Sequence, residues 1–249
     1  MPRTPRKESP TKFYHVTARG AGRRAIFEDS EDHERLRETM RQIFSEESVE
    51  IHAWCHMRNH MHLLLRCDLR NLSHAMQRLE TSYSHYFNGK CGHVGPVFQG
   101  RYGCEPIHSE EHFLMTLCYI HQNPLRAGES DGYSYPWSSY EEYLGNARKP
   151  LCDPSLVLEM LGGIDGFARF HDSELGLSQV ALASTHHRIA DSEAERIARS
   201  LYGPTYKSAI ALLPKKERDR AIRRLKVSGL SVRQIERLTG IGRNIVSRA

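Results

Sequence analysis

The stretch whose reading decides the fold is His56-Met57-Arg58-Asn59-His60-Met61-His62-Leu63-Leu64-Leu65. Residues 50–57 before it alternate as a strand, Arg58-Asn59 is turn-like, and 60–66 alternate again, so the spacing predicts a β-hairpin. Along a strand successive side chains point to opposite faces. Met61, Leu63 and Leu65 therefore anchor one face in a core, and His60 and His62 stand together on the other. Two neutral imidazoles so placed can share one divalent ion, with positions left for phosphate oxygens.

Working outward, residues 13–19 read as a strand, with Phe13, His15 and Thr17 alternating against Tyr14, Val16 and Ala18. Residues 30–45 read as a helix with an apolar stripe of Leu36, Met40, Ile43 and Phe44. A second helix is expected over 69–87, from Leu72, Met76, Leu79, Tyr83 and Tyr86. After a turn at 92–96, residues 97–107 can form a fourth strand. The order strand, helix, strand, strand, helix, strand is the ferredoxin-like split pattern, an α+β fold with an antiparallel sheet and helices on one face.

A further helix is expected from Ser109, its candidate N-cap, to the residues before Pro124. At 100° per residue, Phe113, Leu114, Leu117 and Ile120 share one side. Tyr119 falls on the other with His112, Met115, Thr116 and Asn123. A tyrosine there is not a core filler of its own helix, so its hydroxyl is available to a metal, and Asn123 four residues on can offer a carbonyl oxygen. Asn123 precedes a proline, which disfavours helical dihedrals. Tyr83 and Tyr86 lie on an apolar stripe and read as structural, and Tyr102 sits in a strand-like run where Gln99 and Arg101 share a face able to touch phosphate or to pair structurally. The aromatic run 133–140 reads as packing back onto the domain, with base stacking as the alternative.

The chain has 249 residues, 39% hydrophobic and 26% charged, enough for one large or two moderate domains. The first dozen residues are a basic arm (Arg3, Arg6, Lys7), which helps read a substrate or is disordered, and they lack the apolar run of a signal peptide. No apolar run is long enough to span a membrane, so a cytoplasmic, nucleoid-associated protein with no membrane partner is expected. Six cysteines without a Cys-x-x-Cys pair suggest buried free thiols. The net charge of +5 is uneven: 199–249 hold thirteen Lys/Arg against three Asp/Glu, a local +10, leaving −5 for the rest. A basic end on a mildly acidic body suggests a polyanion-binding module.

The domains expected are a basic arm over 1–12, a catalytic domain over 13–148, a helical linker over 149–190, and a DNA-binding domain over 191–249. Its last part has helix-turn-helix grammar: Ser231 caps a short helix, Gly240 stops it, Ile241 staples the turn, and a second helix follows. Arg233, Arg243, Asn244, Ser247 and Arg248 suit phosphates and base edges of double-stranded DNA. A small helical bundle with a solvated basic face is the alternative.

The His60–His62 run resembles the HUH signature (His, hydrophobic, His) of single-tyrosine transposases. Gly95 to Tyr102, the run Tyr119-Ile120-His121-Gln122-Asn123-Pro124-Leu125-Arg126-Ala127-Gly128, and Trp137-Ser138-Ser139-Tyr140 resemble those of its REP-associated branch. The resemblance covers roughly residues 13–145, not the basic tail. It implies a ferredoxin-like domain acting on single-stranded DNA, often beside an imperfect hairpin. On that likeness His60 and His62 match the metal pair, Tyr119 the nucleophile, and Asn123 the polar position that is Gln in some relatives. Tyrosine attack would leave a 5′-phosphotyrosine and a 3′-hydroxyl. A phenol of reference pKa about 10 needs a cation to stabilise developing charge, and Mg²⁺ or Mn²⁺ fits better than Zn²⁺. The rival class is a non-catalytic, sequence-specific DNA-binding regulator derived from such an enzyme; a hydrolase using metal-activated water is a third. Both a monomer and a homodimer that exchanges the tyrosine helix are compatible with the sequence.

Overall fold

A computed structural model describes residues 5–173, 191–204, 206–211, 213–227, 230 and 232–248. Two compact units divide the chain, residues 1–176 and 177–249.

The first unit is built on a four-stranded sheet in the order β2-β3-β1-β4, formed by β1 (Phe13–Arg19), β2 (Glu50–Met57), β3 (His60–Arg66) and β4 (Gly103–Pro106). Every neighbouring pair is antiparallel, and Thr17 and Arg19 of β1 stand opposite His62 and His60 of β3. Tyr14, Val16 and Ala18 alternate with Met61, Leu63 and Leu65 into one core, closed by α1 (Ser30–Glu46) and α2 (Leu69–Cys91) through Leu36, Met40, Phe44, Leu72, Met76 and Leu79. Burying each such side chain is worth about 1.5–3 kcal/mol.

Caps explain why these helices begin and end where they do. Asp29 and Asp32 form a reciprocal capping box at the start of α1. Asp32 is itself buried and also accepts from the Tyr86 hydroxyl and from Lys90 of α2, at 3.0 and 2.9 Å. That tie carries α2 past residue 87, where the apolar stripe stops, to a left-handed Gly92.

The fourth strand is shorter than the 97–107 expected. Gly95 and Gly100 take positive φ and only Phe98 bridges Gly20, so pairing starts at Gly103. A side chain at Gly103 would place its Cβ 2.5 Å from Thr17 Oγ1, so the Thr17 hydroxyl would have to turn away to admit one.

Helices on one face describes α1 and α2; the third helix departs from it. Helix α3 (Glu110–Ala127) lies across β2 and β3 on the opposite face. Ser109 caps it, accepting from the His112 N–H at 3.1 Å. It does not stop before Pro124 but runs through it to a left-handed Gly128. Proline has no N–H to donate back to residue 120, and the helix runs only three residues beyond it.

Beyond α3, the aromatic run packs back onto the domain. Cys55 bridges Ser138, His56 N–H donates to the Trp137 carbonyl at 2.8 Å, and Trp137 stacks on His33 at 4.2 Å. Short helices α4 (Tyr140–Tyr143), α5 (Ser155–Leu161) and α6 (Ile164–Asp172) follow. Residues 149–173, read from sequence as the start of a linker, belong to the first unit because Val157, Phe167 and His171 are buried in it. The cysteines differ in part from expectation too: Cys55, Cys67, Cys118 and Cys152 are buried thiols, while Cys104 is half-buried and Cys91 exposed. Among the described residues no helix is long and apolar enough to cross a membrane.

The second unit contains α7 (Asp191–Tyr202), α8 (Tyr206–Ala211), α9 (Lys215–Val227), α10 (Val232–Thr239) and α11 (Arg243–Arg248). Ala194, Ala198, Tyr206, Ile222, Leu225, Ile235, Leu238 and Val246 form its own core.

Candidate active site

The face of the sheet beneath α3 carries histidines where the other face carries aliphatics. His15, His62 and Leu64 are buried there, and His60 is half-buried. The His60 and His62 rings lie 5.0 Å apart and nearly perpendicular. The pair therefore shares a strand face, as alternation predicts. Asn59 Oδ1 stands 2.7 Å from His60 Nδ1 and its amide donates to the Arg23 carbonyl, fixing the hairpin turn. His15, two residues off in register, reaches His62: its Nε2 is 3.0 Å from His62 Nδ1.

Helix α3 brings Tyr119 onto this cluster. Its ring meets His62 edge-on at 5.5 Å and His15 at 5.8 Å. The tyrosine was expected on the helix side away from the packed stripe, with an accessible hydroxyl. Instead that side faces the sheet, and only 5% of Tyr119 is exposed. Periodicity failed because α3 is covered twice. Phe113 packs on Phe13 of the sheet, while Cys118, His121 and Gln122 are buried on the far side, beneath the segment that follows α3.

Burial raises the Tyr119 phenol above its ordinary value; the Arg126 guanidinium, the Asn123 side chain and Arg19 oppose that shift. Arg126 is seven residues on, within 20° of Tyr119 around the helix. Asn123, 9% exposed, lies inside α3 despite the proline, and its amide donates to the Tyr119 carbonyl at 2.9 Å. That bond uses the Asn123 nitrogen and leaves its carbonyl oxygen as the group able to meet a cation.

Sequence reasoning overlooked a buried chain that fixes α3. The His171 Nδ1 proton is donated to the Phe167 carbonyl at 2.9 Å, so His171 Nε2 accepts from His121 Nδ1 at 2.9 Å. His121 Nε2 then accepts from the Ser139 hydroxyl at 2.8 Å, and Ser139 Oγ accepts from Trp54 N–H at 3.0 Å. Both rings are neutral, with burial holding His171 down at about 4 and His121 well below the usual histidine range. Only the closeness of His121 and Ser139 to recognised motifs hinted at this.

Gln99 and Arg101 do not share a strand face, because the chain bends at Gly100. Both are exposed, and the Gln99 N–H donates to the Arg19 carbonyl at 2.7 Å, holding that loop at the end of β1 opposite His60. The rival tyrosines are structural: Tyr83 and Tyr86 donate to the Ile26 carbonyl and to Asp32, and Tyr102 lies under Arg6 at 3.7 Å. Arg3 lies outside the described residues.

His60, His62 and the Asn123 carboxamide are chemically able to act as donors to a divalent cation. Two imidazoles and a carboxamide oxygen leave several positions for substrate oxygens. Among the described residues no three His, Cys, Asp or Glu side chains gather as a closed metal site.

In the second unit, α10 and α11 are joined by Gly240-Ile241-Gly242, with Ile241 buried. Arg233 and Asn244 are exposed. Arg243 is bound to Glu236 by two bonds of 2.9 and 3.0 Å, so its guanidinium is engaged within the unit. Ser231 lies outside the described residues, as do the side chains of Ser247 and Arg248.

Residues 10–123 match the family described as "Transposase IS200 like", a little under half of the chain. No curated protein matches. Among solved structures, the chain resembles a REP-associated tyrosine transposase bound to a REP hairpin, with 19% identity and a TM-score of 0.50. The likeness covers 61% of this chain and 90% of that one. At that identity the likeness shows the fold: a mixed α+β domain with an open antiparallel sheet.

Proposed function

We propose, from a first unit with the fold of a REP-associated tyrosine transposase and a match to the IS200-like transposase family, that this chain is a metal-dependent single-stranded DNA endonuclease and strand transferase. The observation that carries the reading is Tyr119 set edge-on to His62, with His60 on the same strand face and Asn123 one turn away. The similar solved protein is bound to a REP hairpin, and a hairpin flanked by a single strand is the substrate class assigned here.

The Tyr119 oxygen attacks a backbone phosphorus. One O–P bond forms as the P–O3′ bond breaks, the phenol gives up its proton, and the departing 3′ oxygen takes one up. The product is a 5′-phosphotyrosine beside a free 3′-hydroxyl, and a 3′-hydroxyl reverses the step to join strands. His60, His62 and the Asn123 carbonyl oxygen would hold Mg²⁺ or Mn²⁺, which would supply Lewis-acid stabilisation of charge on the phosphate. Arg126 and Arg19 favour the phenolate against its burial. The Ser139–His121–His171 chain holds α3 so that the nucleophile stays on the histidine face. Gln99 and Arg101, exposed at the end of β1, are positioned to meet the strand's phosphates.

The second unit is assigned to double-stranded DNA, through Arg233 and Asn244, with Arg243, Ser247 and Arg248 on the second helix. Release of Arg243 from Glu236 would be required before it could contact a base.

The test is a denaturing gel of the full chain with a labelled single strand carrying a hairpin, plus Mg²⁺. A covalent band that disappears in Tyr119→Phe, while strand binding persists, supports the reading. Cleavage without a band, or a band that survives Tyr119→Phe, refutes it.

A further inference from the structure

His15 is buried, titratable and unused by the chemistry above, yet it touches the histidine that chemistry depends on. His15 Nε2 and His62 Nδ1 are 3.0 Å apart, and two neutral rings can place only one proton between those atoms. Two arrangements follow. If the proton sits on His62 Nδ1, then His62 Nε2 has a lone pair for a cation. If it sits on His15 Nε2, His62 must carry its own proton on Nε2 and cannot bind one.

The β4 strand bears on the choice. Glu105 is directly opposite His15 in the β1–β4 ladder, so both side chains leave the same face of the sheet. A carboxylate only accepts, so it favours a proton on His15 Nδ1. That leaves His15 Nε2 as acceptor, and the His62 proton goes to Nδ1. Phe13, the preceding β1 residue on this face, has no polar side-chain atom to take that part.

We propose that His15, backed by Glu105, is a positioning residue that fixes the His62 tautomer with Nε2 presented to a divalent cation. The inference rests on the metal-dependent reading of this site. It adds two strand residues, on β1 and β4, to a centre otherwise made of β3 and α3. Partners of this kind behind a metal-bound histidine set ring orientation and raise its basicity.

Mn²⁺ alone, titrated into the full chain without DNA and followed by electron paramagnetic resonance, reads the effect. His15→Leu should weaken Mn²⁺ binding by about 10- to 100-fold. His15→Gln, whose carbonyl oxygen still accepts from His62 Nδ1, should stay close to the parent. Nitrogen-15 shifts should show the metal-free His62 protonated on Nδ1 in the parent and redistributed toward Nε2 in His15→Leu. If His15→Leu does not fold, Glu105→Gln and His15→Gln carry the test, with a smaller loss expected for Glu105→Gln than for a ligand deletion. Unchanged affinity in a folded His15→Leu, a parent His62 protonated on Nε2, or no Mn²⁺ binding that depends on His60 and His62 would each overturn the proposal. Because no DNA is present, a chain that binds Mn²⁺ this way yet gives no covalent band upholds this inference and sinks the transferase reading.

Discussion

The two faces of the sheet contrast in what they are made of and in what losing them should do. Beneath α1 and α2 the strands present Val16, Met61, Leu63 and Leu65, all buried and all apolar. Beneath α3 the same strands present His15, His60 and His62, and the helix answers with a tyrosine. One residue's step along β3 separates the two chemistries. The first face stabilises by area removed from water, whereas the second buries polar rings that need partners to be tolerated there. The histidine face is therefore expected to be the functional one.

The largest separation between the faces should come from neighbouring substitutions on β3. His62→Ala should lower covalent adduct formation by about 10²-fold or more, since cation stabilisation of a phosphoryl oxygen is worth several kcal/mol. Gel quantification of adduct at saturating strand reads this. Leu63→Ala should instead cost about 2–5 kcal/mol of stability in urea unfolding, with adduct yield per folded molecule preserved. Equal losses of both properties in both variants would break the contrast.

A smaller effect is expected where α3 is tied down. Ser139→Ala removes the donor to His121 Nε2 and the acceptor of Trp54 N–H, a loss of about 1–3 kcal/mol. Faster amide exchange in the second half of α3 should accompany it, with Mn²⁺ affinity kept. Protection unchanged there would show that the buried chain does not hold the helix.

Acid should weaken the unit gradually. His33 and His171 are held down to about 4 mainly by burial, below the ordinary 6.5. The unfolded chain then takes up protons the folded one refuses, so stability is full above pH 6.5 and falls as pH drops toward 4. Urea midpoints measured from pH 7.5 to 4.5 should decline over that window, less so in a folded His33→Phe variant. A flat profile would contradict the neutral, buried rings.

Much of the first face was legible in the sequence, because strict alternation in 60–66 and a clean stripe in 30–45 each admit one arrangement. The hairpin bearing His60 and His62 came from the same logic. Two things escaped. The orientation of Tyr119 was hidden because α3 is buried on two sides, so its apolar residues do not mark the direction of the sheet. The observed partners of the site, His15, His121 and His171, are brought together by strand register and by α6, across 47 residues for His15 and His62 and 50 for His121 and His171. No local pattern encodes such contacts. The end of α3 was misplaced for a simpler reason: the helix continues through Pro124 for three more residues, to Ala127.

The central claim is that the histidine-face tyrosine becomes covalently joined to DNA. Mass spectrometry of a protease digest, after incubation with a hairpin-bearing single strand and Mg²⁺, tests it most directly. A 5′-phosphonucleotide is expected on the peptide containing Tyr119 and on no other tyrosine. Modification at Tyr83, Tyr86 or Tyr102, or cut DNA with every tyrosine unmodified, would contradict it.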